Sequence, residues 1–134
     1  MTQLTENQSD ITTENVRVHS KSFYIPDRST PMCGLYFFGY EISISNEGDC
    51  PVRLLSRHWI ISDILGHQEE VHGDGVVGEQ PRILPGDSYK YTSFCPLPTY
   101  RGTMVGTYTM ARDDDTEFKV AVGPFRLFMH QVMN

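Results

Sequence analysis

The run GLYFFGYEISISN, residues 34–46, repeats its character at every second residue. Tyr36, Phe38, Tyr40, Ile42 and Ile44 fall on one face of an extended chain, and Gly39, Glu41, Ser43 and Ser45 occupy most of the other. A segment of this kind buries one face in a sheet and leaves the other to water. Coiled as a helix, it offers no apolar stripe at a spacing of three and four. The same period returns along the chain. In MVGTYTMA, Met104, Gly106, Tyr108 and Met110 oppose Val105, Thr107, Thr109 and Ala111, and in TEFKVAV Phe118, Val120 and Val122 align. Pro124 interrupts that run, and FRLF is read as a separate terminal strand. PVRLLSRHWIISD is apolar on both faces, as expected near the middle of a packed sheet. HQEEVHG is more polar and suits an edge, while VRVHSKSF and SYKYTSF complete the set.

Turn chemistry separates these runs. Asn46-Glu47-Gly48-Asp49 and Arg112-Asp113-Asp114-Asp115 reverse the chain, and in Leu84-Pro85-Gly86-Asp87 proline sets φ at the second position while glycine supplies positive φ at the third. Seven or eight short strands with no room for a crossover helix predict an all-β antiparallel sandwich. Residues 1–14 hold three acidic side chains, no basic ones and only Met1, Leu4 and Ile11 as large apolar groups. That is too little apolar surface to offset the entropy of ordering, so they are expected to be a disordered tail before a single domain at 15–134.

Charge and cysteine usage then exclude several functions. With 11 Lys and Arg against 17 Asp and Glu, a net −6 and no basic run, the chain would repel a phosphate backbone, so nucleic acid is not an expected partner. Cys33, Cys50 and Cys95 are an odd set without a C-x-x-C, and the first basic residue is Arg17, too late for a secretory leader; a reducing cytoplasm is expected. No apolar run approaches the ~20 residues of a membrane helix. The cysteines and five histidines form no local nucleophile motif, so no catalytic residue is assigned.

Three stretches carry candidate chemistry. HGDGVVGEQPRILPGD places Gly73, Gly75 and Gly78 in a G-x-G-x-x-G. In a dinucleotide site these glycines lead from a strand into a helix whose N-terminal amides meet the pyrophosphate. Pro81 and Pro85 forbid that helix here, and Asp74 and Glu79 add negative charge. The favoured reading is a tight bend anchored by buried Val76 and Val77; the alternative is a nest of amides holding an anion with help from Arg82. His67, Glu69, Glu70 and His72 suggest metal ligation. In a strand, however, His67 and Glu69 point one way and Glu70 and His72 the other, so at most two ligands converge without help from elsewhere, and the favoured reading is a solvated edge strand with no metal. The acidic run Asp113–Asp115 reads as a solvated hairpin tip. In SRHWIISD, Arg57 and Trp59 share a strand face beside His58. Trp59 is expected in the core between sheets, the other reading being an exposed Arg57–His58–Trp59 interaction surface.

Taken in order, SRHWIISD, VHGDGVVGEQP, LPGDSYKYTS, GTMVGTYTM and GPFRLF resemble the ApaG family, also called DUF525, from about Val16 to Phe128. ARDDDTEF is more acidic than the turn usual there, and VGPF stands where the family tends to have a more apolar residue before its proline. The resemblance implies a fibronectin type III-like, immunoglobulin-like β-sandwich. It also implies a connection with cobalt tolerance and magnesium flux without a settled activity, and relatives that look like protein-interaction modules. With no catalytic grouping in the sequence, the expected function is a non-enzymatic, cofactor-free module that binds a protein partner or itself. The family's proposed nucleotide or pyrophosphate loop falls on Gly73, Gly75 and Gly78, near dinucleoside polyphosphate metabolism.

Overall fold

The alternating runs become nine strands in a computed structural model that describes residues 6–129 of the 134. They are β1 (Gln8–Thr13), β2 (Val16–Tyr24), β3 (Tyr36–Asn46), β4 (Val52–Asp63), β5 (Gln68–Asp74), β6 (Arg82–Ile83), β7 (Ser88–Leu97), β8 (Arg101–Arg112) and β9 (Glu117–Phe128). Two single 3-10 turns, Pro26–Arg28 and Pro31–Cys33, lie between β2 and β3. One sheet has the order β1-β2-β3-β7 and the other β5-β4-β8-β9, with β6 continuing the β5 side of β4. All pairings are antiparallel.

The predicted faces meet between the sheets. Val18, Phe38, Tyr40, Ile42 and Ile44 of the first sheet are buried against Leu54, Trp59, Met104, Tyr108, Val120 and Phe125 of the second. At roughly 1.5–3 kcal/mol for each large apolar side chain removed from water, this layer is the main favourable term in folding. The buried side chain of Asn46 secures the end of β3. Its amide donates to the carbonyls of Cys50 at 2.8 Å and Ile83 at 3.0 Å, and its oxygen accepts from the Gly48 N–H.

Four expectations need correction. First, residues 8–13 of the supposed tail form β1, paired with β2 over six residues. Backbone hydrogen bonds and polar contacts order this segment, a source of stability that low hydrophobicity does not reveal. Arg126 N–H donates to the Glu6 carbonyl at 2.9 Å, Arg101 and Arg126 reach the Glu6 carboxylate, and Arg112 reaches Glu14. Residues 1–5 lie outside the described residues. Second, the described residues form nine strands, because β1 and the two-residue β6 were not anticipated. Third, Pro124 does not end a strand: β9 runs unbroken through a bulge opposite Met104 and Gly106, where Gly123 takes a positive φ of 75° and the Gly123–Pro124 peptide is cis. Fourth, only one of the two loop valines is an anchor, since Val76 is fully buried while Val77 is 58% exposed.

Candidate functional site

The glycine segment is a reversal that uses its own amides. β5 ends at Asp74, and Gly75 turns back with φ of 63° while its N–H donates to the Leu55 carbonyl at 2.8 Å. Val76 and Glu79 exchange both backbone hydrogen bonds, at 2.8 and 2.9 Å, around Val77 and Gly78 at φ of 47° and 79°. Two successive positive φ values identify a two-residue hairpin turn, and no helix begins at Gly78. The amides of Gly75, Val76 and Glu79 are therefore committed to carbonyls of the chain. Gly73 serves a different need: a Cβ there would lie 2.7 Å from the Arg57 guanidinium, which donates to the carbonyls of Asp74 and Gly75 at 3.1 and 2.9 Å. Arg82 is engaged elsewhere, holding Asp113 of the β8–β9 turn through both carboxylate oxygens at 3.2 and 2.6 Å.

A register shift between Leu54 and Ser56 decides the fate of SRHWIISD. It reverses the alternation of β4, so that Arg57, Trp59 and Ile61 turn inward and His58 turns outward. Trp59 is buried and meets Tyr40, Tyr108 and Phe125 edge-on, with ring centroids 5.7, 6.3 and 6.1 Å away. An exposed Arg57–His58–Trp59 surface is thereby overturned. Behind Trp59 the Tyr91 and Tyr108 hydroxyls hydrogen-bond, and burial pushes the Tyr108 phenol well above its ordinary value.

Strand alternation divides the four candidate metal ligands as expected, and a neighbouring strand supplies the missing help. His67 precedes β5, and its Nδ1 lies 3.0 Å from Asp63 Oδ2. Burial opposes ionisation of Asp63, but hydrogen bonds from the His67 ring and from the His67 and Leu65 amides outweigh it and hold the carboxyl below its ordinary value. Glu69 lines a cleft with Ile61, Pro96 and Leu97. Glu70 and His72 emerge on the outer face, where His72 lies directly across from His58. The two imidazoles stack at 4.1 Å with an interplanar angle of 11°. Glu70 Oε2 lies 2.8 Å from His58 Nε2 and 3.6 Å from His72 Nε2. The His58 hydrogen bond is the main reason the Glu70 carboxyl stays below its ordinary value. Of the sequence candidates His67, Glu69, Glu70 and His72, then, Glu70 and His72 join this cluster, and His58 is the member missed as a ligand.

The outer face of the first sheet carries a feature absent from the sequence reading. Phe23, Gly39 and Phe94 are successive cross-strand partners on β2, β3 and β7, so they form one row. Phe23 is 42% exposed and Phe94 49%. Phe37, two residues from Gly39, stacks on Phe94 at 5.7 Å, and the Arg28 guanidinium lies over both rings at 4.2 and 5.4 Å. Beyond the aromatic row the face becomes basic, with His19, Lys21 and Lys90 around Glu41. A signal was available: the doublet Phe37-Phe38 in an alternating strand must send one ring to each side.

Comparison with known proteins agrees with this architecture. The family described as DUF525: ApaG domain matches residues 26–112. Protein ApaG of Anaeromyxobacter dehalogenans strain 2CP-C is 46% identical over 126 residues, covering 94% of this chain and 99% of that protein. Protein ApaG of Mesorhizobium japonicum is 50% identical over 115 residues, covering 86% of this chain and 88% of that protein. The crystal structure of a putative ApaA protein from Bordetella pertussis superposes with a TM-score of 0.84 at 41% identity, covering 89% of this chain and 97% of that one. With this two-sheet fold, and with relatives matched over nearly their whole length, the chain belongs to the ApaG domain family.

Proposed function

We propose that this chain is a non-catalytic recognition module that takes an extended segment of a partner protein along the outer edge of β7. The observation that carries the reading is the exposed aromatic row Phe23–Phe94–Phe37 under Arg28, placed beside that edge. Aromatic and arginine side chains dominate the energy of protein interfaces, and an edge strand offers a ladder of backbone groups to an added strand. β7 ends its sheet, and Pro96 within it suits an edge, where a missing N–H breaks no interior ladder. The basic residues Lys90, Lys21 and His19 continue the face, so the chemistry fits a partner strand with alternating apolar and acidic side chains. Two of the three thiols give no support to catalysis: burial pushes Cys95 up to about 12, and the neighbouring Asp49, through its hydrogen bond and charge, raises Cys50.

Selection of a random-peptide display library on the immobilised full chain tests this. Enriched peptides should alternate apolar and acidic residues and lose about tenfold or more in affinity for Phe94→Ala and Arg28→Ala, since an interface anchor is worth about 1.4 kcal/mol or more. Peptides that bind both variants undiminished would remove the reading.

A further inference from the structure

We infer that His58, Glu70 and His72 form a binding site for one divalent cation of the zinc, cobalt or nickel class, open to solvent on the outer face of the second sheet. The site lies on the opposite side of the sandwich from the aromatic row, so it stands or falls independently of peptide recognition.

Backbone register brings the ligands together. The β4 bulge turns His58 outward, the direct pairing of His58 with His72 sets the two imidazoles side by side, and alternation along β5 returns Glu70 to the same face. One ligand atom from each residue lies within 4.8 Å of the others. Tetrahedral coordination at bond lengths near 2.1 Å requires ligand atoms about 3.4 Å apart. The distances of 2.8 and 3.6 Å from Glu70 Oε2 to the two Nε2 atoms already bracket that value.

Donor chemistry selects the class of ion. Two imidazole nitrogens with one carboxylate suit zinc, cobalt and nickel, whereas magnesium and calcium prefer oxygen-only shells with several waters. Three protein ligands leave a position for water, and the shallow depression lined by Ser56, Asp74, Thr109 and Lys119 gives it room. An ordinary ion pair accounts for one His–Glu contact. One carboxylate oxygen can accept from both imidazoles, and the convergence of two histidine Nε2 atoms on Glu70 Oε2 that this produces is also the arrangement a shared cation uses.

The geometry also fixes what must move. An imidazole lone pair lies in the ring plane, so two rings within 11° of parallel cannot both aim at one ion between them. Binding must open the stack. His72 on edge strand β5 is exposed and His58 partly so, which leaves both rings free to turn about their side-chain torsions.

The test uses the full chain without an affinity tag, carrying Cys33→Ser and Cys50→Ser to remove the exposed thiols as competing ligands. Zn²⁺, Co²⁺ and Mg²⁺ are titrated separately, with calorimetry for stoichiometry and histidine-ring NMR for location. One Zn²⁺ or Co²⁺ should bind per chain, moving or broadening the ring signals of His58 and His72 but not those of His19 and His67, while Mg²⁺ at the same concentration leaves them unchanged. His72→Ala and His58→Ala should each weaken binding by about tenfold or more, and Glu70→Gln should also weaken it. Affinity should fall on acidification because protons compete for the same lone pairs. If His58→Ala disturbs β4, the His72→Ala and Glu70→Gln variants, which alter only the edge strand, still decide the matter. Absence of binding at millimolar Zn²⁺, shifts centred on His67, or full affinity in His72→Ala would overturn the assignment.

Discussion

Trp59 illustrates how much at the level of a single residue depends on a bulge. Plain alternation from the buried Val52 and Leu54 would carry His58 into the core and Trp59 to the surface; the shift at Leu54 and Ser56 exchanges them. Parity alone thus gives the wrong answer, while side-chain chemistry, an indole against an imidazole, gives the right one. The indole Nε1 is buried without a hydrogen-bond partner among the described residues, so the residue contributes through area and ring contacts rather than through its polar atom. Trp59→Phe should therefore cost only about 1–2 kcal/mol, because it removes an unsatisfied donor as it opens a cavity. Trp59→Ala should cost about 3–5 kcal/mol. Denaturant midpoints of the two variants check this, and equal losses would mean that Nε1 holds a bond in solution. The His58–Glu70–His72 cluster was illegible for a related reason, since its third member arrives across the sheet and depends on the same bulge.

Among the elements, the β5–β6 connection shows what the spaced glycines do. The sequence was informative in one direction: Pro81 and Pro85 excluded a helix, and none forms. It was silent on the division of labour among the glycines, because room for Arg57, close approach to Glu79 and a paired positive-φ turn all leave the same letter. The consequences differ on substitution. A methyl at Gly75 would stand 2.2 Å from the Glu79 carbonyl oxygen in addition to its positive φ, whereas one at Gly78 meets nothing within 4 Å. Gly75→Ala should lower stability by about 2–4 kcal/mol, through backbone displacement, and Gly78→Ala by about 1 kcal/mol, through φ alone. Chemical denaturation separates them, and a Gly78 penalty as large as that at Gly75 would contradict the turn described here. The opposite failure of legibility occurs at β1. Its six residues are held by ladder hydrogen bonds and by contacts of Glu6 and Thr13 to β9, none of which leaves a hydrophobic pattern to read.

For the whole molecule, the sandwich is closed along one side and open along the other. β1 packs against β9, joining the two sheets, while β7 and β5 end their sheets. The two open edges are not equivalent. β5 carries Glu69, Glu70 and His72 with little exposed apolar surface, the kind of edge that discourages pairing, whereas β7 sits beside the Phe94 row. This asymmetry is the basis of the proposed function: one edge is defended by charge, and the other is the one we propose takes a guest strand. The most direct measurement is amide hydrogen exchange of the full chain with and without a selected apolar–acidic peptide. Exchange should slow across β7, Ser88–Leu97, with β5 unchanged. Protection centred on β5 or on the Gly75–Gly78 turn, with β7 unaffected, would contradict it.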